Sequence, residues 1–473
     1  MTANAEESKK PTTKQQAQID LILREFEGAA GVDPPEWRDT GVVRYLYRRG
    51  SILVRDHDLE RVRAVFDGAG EVEDSLINGV TRYATPVPTL EALDTVEAAL
   101  GIGVASPDHV FSVSPLLPCP ATEPEEVPPG AGPDPAVSTE ECDGRGVVVS
   151  VVDTGWLAGA DQQHAWLLDV DGDAETVFDQ RNHIRPYVGH GTFIAGVLRC
   201  MAPKAELFVE GALTRAGAKF ESDLVKELND AVNRTPDVIS LSVGTRTRHD
   251  LAPIGFDAFY DTRLRHLTGV VLVAAAGNDG DRGPFWPAAF PWVLSVGALS
   301  ASWHSRASFS NHGRWVDVYA PGENLVNAYA TGTFVCEEPP HDGEQRVFQG
   351  MARWSGTSFS TPLVAGLIAA RMSVTGENAQ EAADALLRRA RAQAIPGVGA
   401  VLYPGDGCAR RDHCGHCHGH GHCGHSSDHG YGDHGHGDHS HGEHGHWEHG
   451  HWEHGHGGHG HGHRHGHGDR PGC

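Results

Sequence analysis

The chain has 473 residues, 39% of them hydrophobic, which is enough to bury a large core and to form more than one domain. Its formal net charge of −25 argues against nucleic acid or an anionic membrane as the main partner. Its most apolar runs, such as VVLVAAAG (Val270–Gly277), are too short to span a membrane. Nine cysteines, five of them beyond residue 407, do not make a small disulfide scaffold.

Residues 1–40 begin polar, with no apolar leader, and this carries the expectation of a cytoplasmic protein. They read as a mobile N-terminal arm. One amphipathic helix is predicted around Gln15–Phe26, where Ile19, Leu21, Ile22, Leu23 and Phe26 recur at helical spacing. Residues 41–115 read as a small α/β domain. SILVRD, GVTRYATPV and HVFSVSP are predicted strands, and DLERVRAVF and TLEALDTVEAALG are predicted helices. A further short strand near Val72–Ile77 completes a β-α-β-β-α-β order, the split βαβ unit. Residues 116–145 are rich in Pro and Glu and lack periodicity, as a solvated linker does.

Residues 146–403 alternate β-branched runs (GVVVSVVD, AELFVE, PDVISLSVG, VVLVAAAG, WVLSVGAL) with helical patterns (GTFIAGVLRC, ESDLVKELNDAVNR, TPLVAGLIAARM). The alternation predicts an α/β fold: a mostly parallel sheet with helices on both faces. In such sheets active residues sit at the C-terminal ends of strands. Residues 404–473 are a low-complexity tail in which Gly and His alternate, and no core can form from that composition. The tail's HCGHCHGHGHC holds Cys414, His416, Cys417 and Cys423, thiol and imidazole ligands suited to Zn²⁺, Ni²⁺ or Cu. Binding there would be multiple and exchangeable; the alternative is a hydrophilic appendage that charges in mild acid.

Three polar residues stand at element ends. Asp153 closes the strand VVVSVVD. His190 lies between two glycines in YVGHGTFIAGV and opens a helix. Ser358 precedes the predicted helix start at Pro362 in RWSGTSFSTPLVAG. Alone, Ser358 reads as a plain helix cap. With His190 as base and Asp153 to orient it, it reads as an activated nucleophile. Asn278, at the end of VVLVAAAGND, is either a turn residue or a donor to an oxyanion, with the Ser358 backbone N–H as the second donor.

The motifs VVDTGW, GHGTFIAG, AAGND and GTSFSTPLVAG, in that order over about 250 residues, resemble those of the subtilisin-like serine endopeptidases, the subtilase family (peptidase S8 type). The resemblance implies a catalytic set of Asp153, His190, Ser358 and Asn278, and no cofactor for catalysis. It implies that Ser242, Val243 and Gly244 pair with an extended polypeptide substrate by strand addition. Ala275, Ala276 and Gly277 form the opposite wall of the pocket for the residue before the scissile bond. FWPAAFPWVLSVGA resembles a pocket-lining loop, with a cis bond expected at Trp286–Pro287. Asp279 and Asp281, near the expected pocket mouth, read either as screened surface charges or as a preference for a basic side chain before the cut.

Departures from the family pattern are Phe193 and Phe359, where many relatives have His and Met. A second is the direct passage from the His190 helix to the next strand, which leaves no calcium-binding loop there. The insertion Val335–Gly350 reads as an acidic loop. By its order and position the 41–115 unit resembles the family's propeptide, which implies an intramolecular inhibitor and self-cleavage between Ser114 and Gly146. The alternative to the whole reading is a metal-binding or peptide-binding protein on a protease-like scaffold.

Overall fold

The structure is a computed structural model that describes residues 13–73, 78–113 and 123–408. The tail ligands Cys414, His416, Cys417 and Cys423 lie outside the described residues, as does Ser114. All the described residues belong to one compact unit.

The first helix, α1 (Lys14–Glu25), starts with a capping box. The Thr13 hydroxyl accepts from the Gln16 N–H, and the Gln16 side chain accepts from the Thr13 N–H. Ile19 and Ile22 are fully buried and join Trp37, Leu46 and Phe220 in one cluster. Strand β1 (Ala30–Asp33) then pairs antiparallel with β2 (Tyr45–Arg48). The described part of the expected mobile arm is therefore packed: its apolar helix face is covered, and its strand is paired across the predicted boundary at residue 41.

Next come β3 (Ser51–Arg55), α2 (Leu59–Val65), β4 (Glu71–Val72), β5 (Val80–Ala84), α3 (Thr89–Leu100) and β6 (Ala105–Ser106). Their four strands form an antiparallel sheet in the order β4-β5-β3-β6. The β-α-β-β-α-β order is present, but its last strand is β6. The expected last strand, HVFSVSP, leaves this sheet as β7 (Val110–Ser112) and pairs elsewhere.

The β-branched runs form a central sheet of seven strands. In chain order they are β8 (Val148–Asp153), β9 (Asp171–Gly172), β10 (Glu206–Gly211), β12 (Val238–Leu241), β13 (Val271–Ala275), β14 (Leu294–Leu299) and β15 (Val318–Pro321), with the short β11 (Ala218–Phe220) outside the sheet. The spatial order is β15-β14-β13-β12-β8-β10-β9, and every pairing is parallel. Period two sorts the side chains: Val149 and Val151 enter one cluster and Val152 the other. On the first face lie α4 (His190–Met201) and α7 (Thr357–Thr375). On the second lie α5 (Glu221–Asn233) and α6 (Ile254–Thr262). Each buried Val, Leu, Ile or Phe contributes about 1.5–3 kcal/mol, so the sheet is a rigid base for groups at its C-terminal edge.

The predicted acidic loop Val335–Gly350 is largely the turn end of a hairpin, β16 (Leu325–Val335) and β17 (Gln345–Trp354). The described part of the linker lies along this hairpin: Glu125 exchanges backbone hydrogen bonds with Arg353, and Asp134 with Val326. Cys142 and Cys408 form a disulfide across 266 residues, with Cα atoms 5.5 Å apart. Their spacing in sequence gave no hint of this pair.

Candidate active site

Asp153 ends β8 at the C-terminal edge of the sheet and is fully buried. Its Oδ1 accepts from the Thr154 N–H at 2.8 Å and lies 2.7 Å from His190 Nδ1. Two glycine turns bring these segments together. Gly155 has φ +116°, and the Cβ of any other residue at position 191 would sit 2.5 Å from the Gly155 carbonyl oxygen. The Thr154 hydroxyl accepts from the Gly191 N–H at 3.1 Å and fixes the approach. Because Nδ1 is held by the carboxylate, the other ring nitrogen of His190 is left for a substrate-side partner.

The His190 ring is packed by Trp354 and Phe359, each with its ring centroid 5.3 Å away. Phe193 joins the same aromatic group, 4.5 Å from Phe359. Behind the pair stands Glu175, which no sequence motif singles out. Its carboxylate oxygen accepts from the Gly189 N–H at 2.8 Å. Burial pushes its carboxyl up to about 8, opposed by that hydrogen bond. Glu175 is thus mainly protonated at neutral pH and places no second full charge beside Asp153.

Ser358 does not precede its helix as the sequence suggested. Helix α7 starts at Thr357, so Ser358 is in the first turn and Pro362 is inside the helix. Proline has no N–H to return to the carbonyl four residues earlier, which is that of Ser358. The Ser242 hydroxyl donates to this carbonyl at 3.0 Å instead. The substrate strand proposed from sequence is thereby fastened to the candidate nucleophile. The free N–H groups and positive end of α7 surround Ser358. Its neighbour Phe359 touches the His190 ring. Among the described residues no hydrogen bond joins His190 to Ser358; such bonds are often long without substrate and tighten when it binds.

Asn278 is buried. Its Oδ1 accepts from both the Thr357 N–H (2.8 Å) and the Thr357 hydroxyl (2.9 Å). That hydroxyl in turn accepts from the Gly277 N–H at 3.1 Å. The amide orientation is fixed, leaving the Asn278 NH₂ as the donor that can face an oxyanion. Thr357 is a positioning residue that the sequence did not mark; its place beside Ser358 was the available signal.

Ser242, Val243 and Gly244 continue β12, and Ala275 ends β13 with Ala276 and Gly277 following it, so the two proposed pocket walls are neighbours in the sheet. The Trp286–Pro287 bond is cis. The expected preference for a basic side chain is not supported at the mouth. Arg246 pairs with Asp281 at 2.6 Å and approaches Asp279 at 3.5 Å, so the two carboxylates are already engaged by a cation. Among the described residues no group of three His, Cys, Asp or Glu side chains gathers as a metal site.

The chain's own β7 pairs antiparallel with β11. On its other side Ser112 exchanges two backbone hydrogen bonds with Gly244, at 3.0 and 3.1 Å. Val113 donates to the Gly217 carbonyl at 2.9 Å. Ion pairs hold the unit that carries β7: Arg48 with Asp223, Arg55 with Asp257 at 2.7 Å, and Arg248 with Glu97 at 2.7 Å.

The model of the Subtilase family matches residues 144–405. Subtilisin E of Bacillus subtilis (strain 168) is 30% identical over 262 residues, which are 52% of this chain and 61% of that relative. Subtilisin of Bacillus pumilus is 30% identical over 262 residues, 84% of its length. Among solved structures, fervidolysin from Fervidobacterium pennivorans, a keratinolytic enzyme related to subtilisin, superposes with a TM-score of 0.51 at 18% identity. The match covers 76% of this chain and 61% of that one, and it supports the fold alone. The chain thus spans about three fifths of the length of the first curated relatives it matches.

Proposed function

The chain belongs to the subtilase family, and on that premise we propose that it is a serine endopeptidase that hydrolyses polypeptides through an acyl-enzyme. The observation that carries this reading is the buried 2.7 Å contact between Asp153 and His190, beside a helix N-terminus that bears Ser358. His190 takes the proton of the Ser358 hydroxyl as its oxygen adds to the scissile carbonyl carbon. Asp153 holds the imidazole tautomer and stabilises its cation. The negative oxygen of the tetrahedral intermediate is met by the Asn278 NH₂ and the Ser358 backbone N–H. His190 then passes the proton to the leaving amine, and water, activated by the same imidazole, releases the acyl group.

Asn278→Ala is expected to lower kcat roughly 10²–10³-fold with little change in KM, on the scale that subtilisin itself shows. Steady-state kinetics on a peptide ester and a peptide amide check this. A change in KM alone would mean that Asn278 acts only in the ground state.

The substrate lies extended beside Ser242–Gly244. Support comes from Ser112, whose backbone already pairs with Gly244 in antiparallel register. The N-terminal unit is by this reading an intramolecular inhibitor, since β7 and a substrate strand would claim the same backbone groups. We further propose self-cleavage between Ser114 and Gly146. N-terminal sequencing of purified protein is expected to give a new terminus in that interval for the wild-type chain and none for Ser358→Ala. An intact wild-type chain, or equal cleavage in the variant, rules self-processing out.

A further inference from the structure

We propose that Phe285 closes the pocket for the residue before the scissile bond, so that this chain cleaves after small side chains such as Gly, Ala and Ser. The inference rests on the endopeptidase reading and on the two pocket walls assigned within it.

Both walls are tied to the nucleophile's helix. Ser242 bonds the Ser358 carbonyl, and the Gly277 N–H bonds the Thr357 hydroxyl. A side chain passing between the walls therefore starts beside Ser358. The same edge of the Phe285 ring meets both walls. A Cβ at Gly244 would lie 2.2 Å from Phe285 Cε1 and 2.7 Å from Cδ1. A Cβ at Gly277 would lie 2.8 Å from Cδ1 and 2.9 Å from Cε1. Carbon atoms do not approach this closely, so each wall is reduced to bare backbone where the ring sits. One ring edge lies against both glycines, and by this proposal it takes up the space into which a large substrate side chain would pass.

The ring is fixed there. Phe285 is 7% exposed. The next residue, Trp286, exchanges backbone hydrogen bonds with Thr245 at 2.8 and 2.9 Å, which fastens the loop to the end of one wall. The Ala289 N–H donates to the Phe285 carbonyl at 2.9 Å. Moving the ring aside would break packing against both walls. At the mouth, Arg246 and the carboxylates of Asp279 and Asp281 are paired with one another, which offers little to a charged side chain.

The test uses the full chain and a peptide series identical except for Gly, Ala, Ser, Leu, Phe or Lys before the cut. In the wild type, kcat/KM for the Ala peptide is expected to exceed that for Phe, Leu and Lys by about tenfold or more, the scale on which an apolar pocket senses bulk. In Phe285→Ala the ratio of kcat/KM for the Phe peptide to that for the Ala peptide is expected to rise by at least about tenfold. Phe285→Leu should move it the same way by less, and it guards against a misfolded first variant. A wild-type preference for Phe, Leu or Lys overturns the inference, as does a ratio unmoved in a folded variant. If the wild-type chain, once its N-terminal unit has been cleaved off, cuts no peptide of the series and leaves denatured casein intact, the endopeptidase reading itself fails, and that result is distinct from a wrong preference.

Discussion

Ser358→Ala is expected to lower kcat on the order of 10⁶-fold, the magnitude that subtilisin itself shows for loss of its nucleophile. The size follows from what is lost. Without the hydroxyl no acyl-enzyme forms, and only the oxyanion donors and substrate positioning remain to act on a water molecule. The substitution is structurally mild. Position 358 lies in the first turn of α7, where alanine is a good helix former. The backbone carbonyl that Ser242 bonds is unchanged. Circular dichroism and a cooperative thermal transition should therefore report a folded variant while hydrolysis of a peptide substrate disappears. A variant that folds and retains a tenth of the wild-type rate would assign the nucleophile elsewhere.

Asp153→Asn is the next largest effect, roughly 10⁴-fold in kcat. The carboxylate is fully buried and its Oδ1 serves both the Thr154 N–H and His190 Nδ1. An asparagine keeps the shape, but its amide can turn an N–H toward Nδ1. The ring proton then moves to the nitrogen that should receive the serine proton, and the base is in the wrong tautomer. The cation formed during attack also loses its charge partner. KM should change little, because no substrate contact is removed. An effect seen mainly in KM would contradict the orienting role.

Much of this was legible because it is local. The β-branched runs predicted the parallel strands, and Asp153, His190 and Ser358 each stood out at the end of an element. What the sequence did not reveal depends on contacts far apart in the chain. Pro362 suggested a helix start, yet the helix begins at Thr357, because the Ser242 hydroxyl, over a hundred residues away, satisfies the carbonyl that Pro362 cannot. The strand HVFSVSP was assigned to the N-terminal sheet by its position, but Ser112 finds its partners in Ala218 and Gly244. Local periodicity carries no information about which edge a strand will join. Phe285 stood within a loop already read as pocket-lining. That its ring lies against two glycines from separate strands is a matter of tertiary placement. Likewise the pairing of Asp279 and Asp281 with Arg246, more than thirty residues earlier in the chain, is a tertiary contact.

The central claim is that Ser358 is made reactive by His190 and Asp153. Reaction of the full chain with a fluorophosphonate, followed by peptide mapping, tests it most directly. One adduct on the peptide carrying Ser358 is expected, lost when the chain is denatured first and strongly slowed in Asp153→Asn. A chain that cleaves polypeptides yet carries the adduct on another residue, or labels Ser358 equally well after denaturation, contradicts the account.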